Sequence, residues 1–478
     1  MKTKGALFQI CLLGAVLLIL PVAVQAQFSW TTNSGTITIT GYSGTNGVVT
    51  IPDIITGLPV TSIGVQAFYG NRVMTNVMTG TNLTSIGEEA FQLCGNLTNI
   101  TIGTNVTSIG VQAFYDCGKL AGVTIPASVA GIGQYAFADC TSLTAIPVAP
   151  SNPNFSSVGG VVFNENQTTL FVYPGGLAGA YAIPTNVTVI GTGAFWDCIN
   201  LTGITFPSSV TSIQEDAFAF CRDLTNVVIG SGVTSIANDV FDDSQNLTSI
   251  TIPAGVTFVS EPICYGCTSL TNIAVSASNP DFVSVGGVLF NQGQTSLLEY
   301  PAGLAGAYIV TNSVTSIADE AFGGCLGLTT VYIPASVSSL GEAVFESCSS
   351  LTSAYFQGSA PASGTEEFLD ANAAGKVYYF AGTTGWGTTY GGSPGSLPTV
   401  MLNSPLIIST GIGVQNNEFG FSIIGTNAQV FVVGACTNLV IANWQPIQTN
   451  TLTSALFNFT DPQWRDFPIR FYRVGYMP

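Results

Sequence analysis

Apolar and polar positions recur along most of the chain with a period of 23 residues. One copy, residues 106–128, reads VTSIGVQAFYDCGKLAGVTIPAS. With its first Val as offset 0, further copies start at Val60, Leu83, Val129, Val187, Val210, Val233, Val256, Val314 and Val337. Offset 3 is nearly always Ile, as in Ile63, Ile86 and Ile109. Offset 8 is Phe in nine of ten copies, with Cys264 the exception, and offset 14 is Leu in nine, with Met74 in the first. Offsets 17 and 19 are apolar, and this two-residue alternation predicts a strand. Pro at offset 20 (Pro126, Pro207, Pro253, Pro334) ends it, because Pro cannot donate to a ladder. The segment I-G-x-x-A-F-x-x-C spaces Ala, Phe and Cys as a helix would, but has room for only a turn or two. Each coil is therefore expected to hold a strand, a turn, a second extended piece and a brief helical turn. Successive coils stack equivalent side chains into one apolar spine, as in a solenoid.

A second period overlies the first. The interval from Val129 to Val187 equals that from Val256 to Val314, and each holds one ordinary coil and one longer coil. The two long coils share FSSVGGVVFNENQTTLFVYPGGLAGAY from Phe155 and FVSVGGVLFNQGQTSLLEYPAGLAGAY from Phe282. The step from Phe155 to Phe282 also equals the steps from Val60 to Val187 and from Val187 to Val314, so the chain reads as duplications of one larger block. Hairpins are expected in the long coils, with tips at 164–167 and 291–294. An open solenoid needs closed ends. Residues 27–59 read as an N-terminal β cap, 60–356 as the solenoid and 357–390 as a C-terminal cap. Residues 391–405, rich in Gly, Ser and Pro, read as a linker. Residues 406–478, with alternating Phe419, Phe421 and Ile423, read as a β-sandwich-like module.

Composition narrows the class. The chain has 478 residues, 46% hydrophobic and 7% charged, which excludes disorder. Lys2 and Lys4 precede an apolar stretch ending in Val22-Ala23-Val24-Gln25-Ala26, so residues 1–26 read as a secretory signal peptide. No later stretch is long and apolar enough for a transmembrane anchor. Beyond the leader, seven basic side chains face 26 acidic ones. That balance argues against nucleic acid as a partner.

Candidate chemistry is sparse. The chain has no His, which excludes a Ser-His-Asp triad, a His-ligated zinc and a Cys-His pair. Cys94, Cys117, Cys140, Cys198, Cys221, Cys267, Cys325 and Cys348 all fall at offset 11 and are read as a buried thiol ladder. Acidic residues form broken columns at offsets 5, 6 and 10, such as Glu89, Asp216, Asp116, Asp139 and Asp197, read as a solvated face without a cation-loop pattern. No catalytic residue, metal ligand or cofactor site is expected. Offset 18 lies between two inward residues and should face solvent. It reads Thr101, Thr124, Thr205 and Thr251, then Tyr332 and Tyr355, and this tyrosine pair is the candidate partner-binding patch.

The pattern V-T-S-I-G-x-x-A-F-x-x-C-x-x-L-T-x-I-x-I-P, as at residues 106–126, resembles the BspA-like leucine-rich repeat family of bacterial surface proteins. The resemblance, over about residues 35–390, implies a leucine-rich repeat solenoid; with the residue pattern it gives a β-rich fold with short helical turns, 23-residue coils with two 35-residue coils, and a small C-terminal β domain beyond it. It also implies an exported, non-enzymatic protein, secreted or envelope-associated, that binds a protein or glycan at the cell surface or in the matrix in an adhesion-type interaction. The alternatives are a structural envelope or matrix spacer that self-associates and a polysaccharide-acting enzyme.

Overall fold

The computed structural model describes residues 26–476 except 416, 417, 427, 441, 442, 454 and 455. Nearly all of the expected leader, 1–26, lies outside the described residues. The protein is almost entirely β and turn, with about 16 coils spaced about 23 residues apart. Two compact units divide at Ser244 and Gln245.

In the first unit, the antiparallel pair Phe28–Asn33 and Thr36–Tyr42 opens the structure. Thr36–Tyr42 then pairs in parallel with Leu58–Ile63. From there the Ser-Ile dipeptides stack in register: Ser62, Ser85 and Ser108, with Ile63, Ile86 and Ile109 beside them. A second parallel ladder runs through Val49, Val77 and Ile100. The Phe column is a stack of rings. Centroids of Phe68, Phe91, Phe114 and Phe137 lie 4.8, 5.3 and 5.3 Å apart, with planes within 11° of parallel. That spacing follows from the distance between neighbouring strands.

The expected helical turn is instead a run of tight turns. Ala90, Gln92 and Cys94 donate to the carbonyls of Gly87, Glu89 and Phe91, three residues back in each case. Offsets 6 and 10 are left-handed, as at Glu89 (φ 53°), Leu93 (φ 61°), Asp116 (φ 53°) and Asp139 (φ 56°). A left-handed residue interrupts helical propagation, so no helix forms. Among the described residues the one helical piece is Trp464–Asp466, in the C-terminal module.

Each long coil is a three-stranded meander. Phe155–Val158, Val161–Asn164 and Thr169–Val172 follow one another antiparallel, and the last joins Val189–Ile190 in parallel. The turn at 164–167 is built by Asn164, whose side-chain oxygen accepts from the amides of Thr168 and Thr169 at 2.7 and 3.0 Å. The long coil carries no Phe at the spine. Tyr173 takes that place and stacks on Phe195 at 4.7 Å.

The second unit repeats this plan. Phe282–Val285, Val288–Asn291 and Ser296–Glu299 form the meander, and Tyr300 stacks on Phe322 at 4.9 Å. Segment 391–405, expected as a linker, holds the strand Leu397–Leu402, which extends the parallel ladder from Lys376–Phe380. Leu397 is buried there, and its burial explains why the segment is ordered into the sheet. Leu406–Gln415, Glu418–Ile424 and Leu456–Asp461 form one sheet of the C-terminal module, and Gln445–Thr451, Val430–Cys436 and Phe471–Tyr476 form another. Phe421, Ile423, Phe431, Val433, Leu452 and Phe459 make its core.

Candidate binding surface

Offset 18 behaves differently at its two ends. Thr101, Thr124 and Thr205 are exposed as expected. Tyr332 is not: it is only 4% exposed. Tyr332, Tyr355 and Tyr378 stack along the ladder with centroids 5.1 and 4.7 Å apart. Tyr332 clusters with Phe380 and with Ile408 and Ile424 of the C-terminal module, while Tyr355 is partly buried beside them. The expectation of a solvent-facing tyrosine pair is thereby corrected. A row of stacked rings exposes a broad apolar strip, and the chain's own last module buries it.

On the Thr side, coils 106–128 and 129–151 carry Gly122 and Ala145 at offset 16, where most coils have Asn, Ser or Thr. The ladder thins there to the single bridges Asn99 to Gly122 and Ile125 to Val148. The missing side chains leave an open groove of about 620 Å³, lined by Thr101, Thr124, Ala121, Ala145 and their neighbours.

The turn face gathers the acidic columns. At offsets 6 and 10 the Asp residues sit in left-handed backbone, which Asp tolerates better than most residues. At the first long coil, Asp139 and Asp197 come together although they belong to ordinary coils on either side of the long one. Burial, then a hydrogen bond from the neighbouring carboxyl and its charge, raises Asp139 to about 7, while Arg222 opposes the shift. Burial also raises Asp197. Among the described residues no group of three or more acidic or thiol side chains is arranged to hold a metal ion.

Aromatic rings border the same junction. Trp196 lies 5.1 Å from Tyr135 and 4.9 Å from Phe220. Tyr135 reaches across the long coil to donate its hydroxyl to Asp216 at 2.5 Å. Gly193 (φ +58°) makes this possible, since a Cβ there would come within 2.6 Å of the Tyr135 ring. Burial raises Asp216 to about 6. A cavity of about 140 Å³ opens beneath, lined among others by Tyr135, Phe137, Tyr173, Gly193 and Trp196. Sequence reasoning missed this site. The available signal was Trp196 and Gly193 standing where other coils have smaller or longer residues.

The second junction is built differently. Glu299 replaces the Val172 of the first and is 2% exposed, while Cys264 replaces Phe137. The Glu299 carboxyl accepts the Ile263 amide at 3.0 Å. Burial raises it to about 8, against that amide and the Cys264 thiol, which lower it. Glu261 is raised to about 7, first by burial and then by Asp319.

Parallel short strands stacked coil on coil around an aligned apolar spine define a leucine-rich repeat solenoid. The BspA type leucine rich repeat region matches in six copies over residues 61–180, 179–291 and 307–380. The chain belongs to that family, whose members are commonly surface proteins of non-enzymatic repeat type. Among solved structures it is similar to a leucine rich cell surface protein from Faecalibacterium prausnitzii, with 24% identity over 75% of this chain and 88% of that one, and a TM-score of 0.38. A leucine-rich repeat protein from Eubacterium ventriosum shares 21% identity over 78% and 98%, with a TM-score of 0.39. One from Bacteroides ovatus shares 23% over 74% and 94%, also with a TM-score of 0.39. No curated protein matches the chain.

Proposed function

We propose that the chain is exported and acts outside the cell, secreted or envelope-associated, as a non-enzymatic protein that binds a protein or glycan partner through its solenoid. The groove beside Thr101 and Thr124 supports this reading most directly. It is an open, largely apolar surface edged by hydroxyls, and it begins at the ladder-bonded strand Asn99–Thr101. Such a surface suits a macromolecule better than a small substrate, which prefers an enclosed site.

The test is a glycan array and a pull-down with residues 27–478. The expected result is saturable capture of one partner class, weakened about tenfold or more by Gly122→Trp, which fills the groove. Self-association with no saturable ligand would replace this reading with the spacer alternative.

A further inference from the structure

We propose that the junction at the first long coil is a slot for an extended, basic peptide segment, gripped by the backbone amides of Tyr135, Phe137 and Asp139. The slot lies on the turn face and is independent of the Thr-lined groove.

Backbone hydrogen bonds join each turn segment to the next. In ordinary coils the amides at offsets 6, 8 and 10 donate to carbonyls at offsets 5, 7 and 9 of the following coil. Glu89, Phe91 and Leu93 bond to Val111, Ala113 and Tyr115, and Gln112, Phe114 and Asp116 bond to Gln134, Ala136 and Ala138. The pattern resumes with Gly193, Phe195 and Asp197, which bond to Glu215, Ala217 and Ala219. Between these stretches the long coil has no turn segment to offer. Among the described residues the amides of Tyr135, Phe137 and Asp139 have no acceptor. The long coil passes as 171–173 and bonds the far wall, Tyr173 to Ala194 at 2.7 Å.

Amides left without acceptors are rare in folded proteins. Three of them at a two-residue period present what the edge of a ladder presents to an incoming extended chain. A cavity of about 140 Å³ between the walls, lined by Tyr135 and Phe137, is where that chain would enter.

At the second junction the slot is occupied from within: Pro262 stands at offset 6 and has no amide, and the Glu299 carboxyl accepts the amide of Ile263 at offset 7. Val172, the counterpart of Glu299 in the earlier long coil, carries no acceptor, so the first junction stays open. Its rim selects the ligand. Asp139, Asp197 and Asp216 repel anions and attract lysine or arginine, and Trp196 and Tyr135 add ring faces suited to a cation.

The probe is an acetylated, amidated heptapeptide of alternating lysine and valine, followed by hydrogen exchange at residue resolution and by tryptophan fluorescence. The expected result is saturable slowing of exchange at Tyr135, Phe137 and Asp139 by about tenfold or more, lost when glutamate replaces lysine in the probe and weakened by salt. Transplanting the second junction with Phe137→Cys and Val172→Glu should abolish the slowing. The milder Asp139→Asn with Asp197→Asn, which leaves the backbone slot intact, should weaken lysine-probe binding and flatten its salt dependence. Unchanged exchange at millimolar probe, or equal probe binding by wild type and transplant, would overturn the proposal. Capture of the groove partner by the transplant, measured in parallel, separates failure of this slot from failure of the function proposed above.

Discussion

The hydroxyl of Ser244 donates to the carbonyl oxygen of Phe218 at 2.9 Å. Ser244 holds the offset where eight copies have Cys and the first has Asn71, and thiols of this column do the same. Cys94, Cys117, Cys140 and Cys221 reach the carbonyls of Phe68, Phe91, Phe114 and Phe195 at 3.1 to 3.2 Å. Within the column a small side chain with one donor fits this bond, which explains why Ser substitutes for Cys at 244.

From this relationship, Cys117→Ser should leave stability within about 1 kcal/mol of wild type, whereas Cys117→Ala should lose about 1–2 kcal/mol through the missing donor and contacts. Urea unfolding of the two variants side by side checks it. Equal loss in both would show that the donor is irrelevant. The same burial raises Cys94 to about 12, so native protein should resist thiol reagents that label it fully once unfolded.

Ring stacking makes the Phe column the most sensitive part of the spine. Phe114 is fully buried between Phe91 and Phe137. Phe114→Ala should cost about 3–5 kcal/mol, and Phe114→Leu clearly less. Denaturant midpoints at constant slope distinguish the two.

Glu299 gives stability an unusual pH dependence. Unfolded, its carboxyl ionises near 4.5; folded, it keeps its proton to about 8. Below pH 4.5 the group is neutral in both states and its full contribution is present. As pH rises from 4.5 to 8 only the unfolded chain releases the proton, so stability falls, by up to about 1.4 kcal/mol per pH unit from this one group. Above 8 the contribution is gone. Asp139, Asp216 and Glu261 are raised as well and act in the same direction. The melting temperature should therefore decline between about pH 5 and pH 8, and Glu299→Gln should reduce the decline. A wild-type melting temperature that rises over this range would contradict the assignment.

Docking of the C-terminal module should depend on the tyrosine strip. Tyr332→Ser removes the ring under Ile408 and Ile424 and should speed proteolytic cleavage between Leu402 and Leu406 about tenfold, with the solenoid's β signal retained. Cleavage at the wild-type rate would show that other contacts hold the module.

Gly193 tests the tyrosine strap. Gly193→Ala places a Cβ against Tyr135 in a left-handed backbone and should cost about 1–3 kcal/mol while breaking the Tyr135–Asp216 bond. Adding Tyr135→Ala should recover part of that loss by relieving the clash. Equal costs for the single and double variants would mean the strain lies in the backbone alone.

What the sequence determined is everything that repeats. Ile63, Ile86 and Ile109, or Phe91 and Phe114, contact mainly their equivalents one coil away, so a 23-residue period is at once a pattern in the sequence and a contact map in space. Even the Asp residues at offsets 6 and 10 follow a local rule, since those offsets are left-handed. Tertiary structure alone decided what happens where the period breaks. A long coil removes one turn segment and sets Asp139 beside Asp197, draws Tyr135 across Gly193 to Asp216, and brings Tyr173 into a Phe column. The burial of Tyr332 likewise depends on Ile408 and Ile424, in a module that starts several coils further along the chain and beyond the reach of any nearest-neighbour rule. Periodic contacts are local in register and can be read along the chain, whereas contacts across an interruption depend on where the displaced backbone goes.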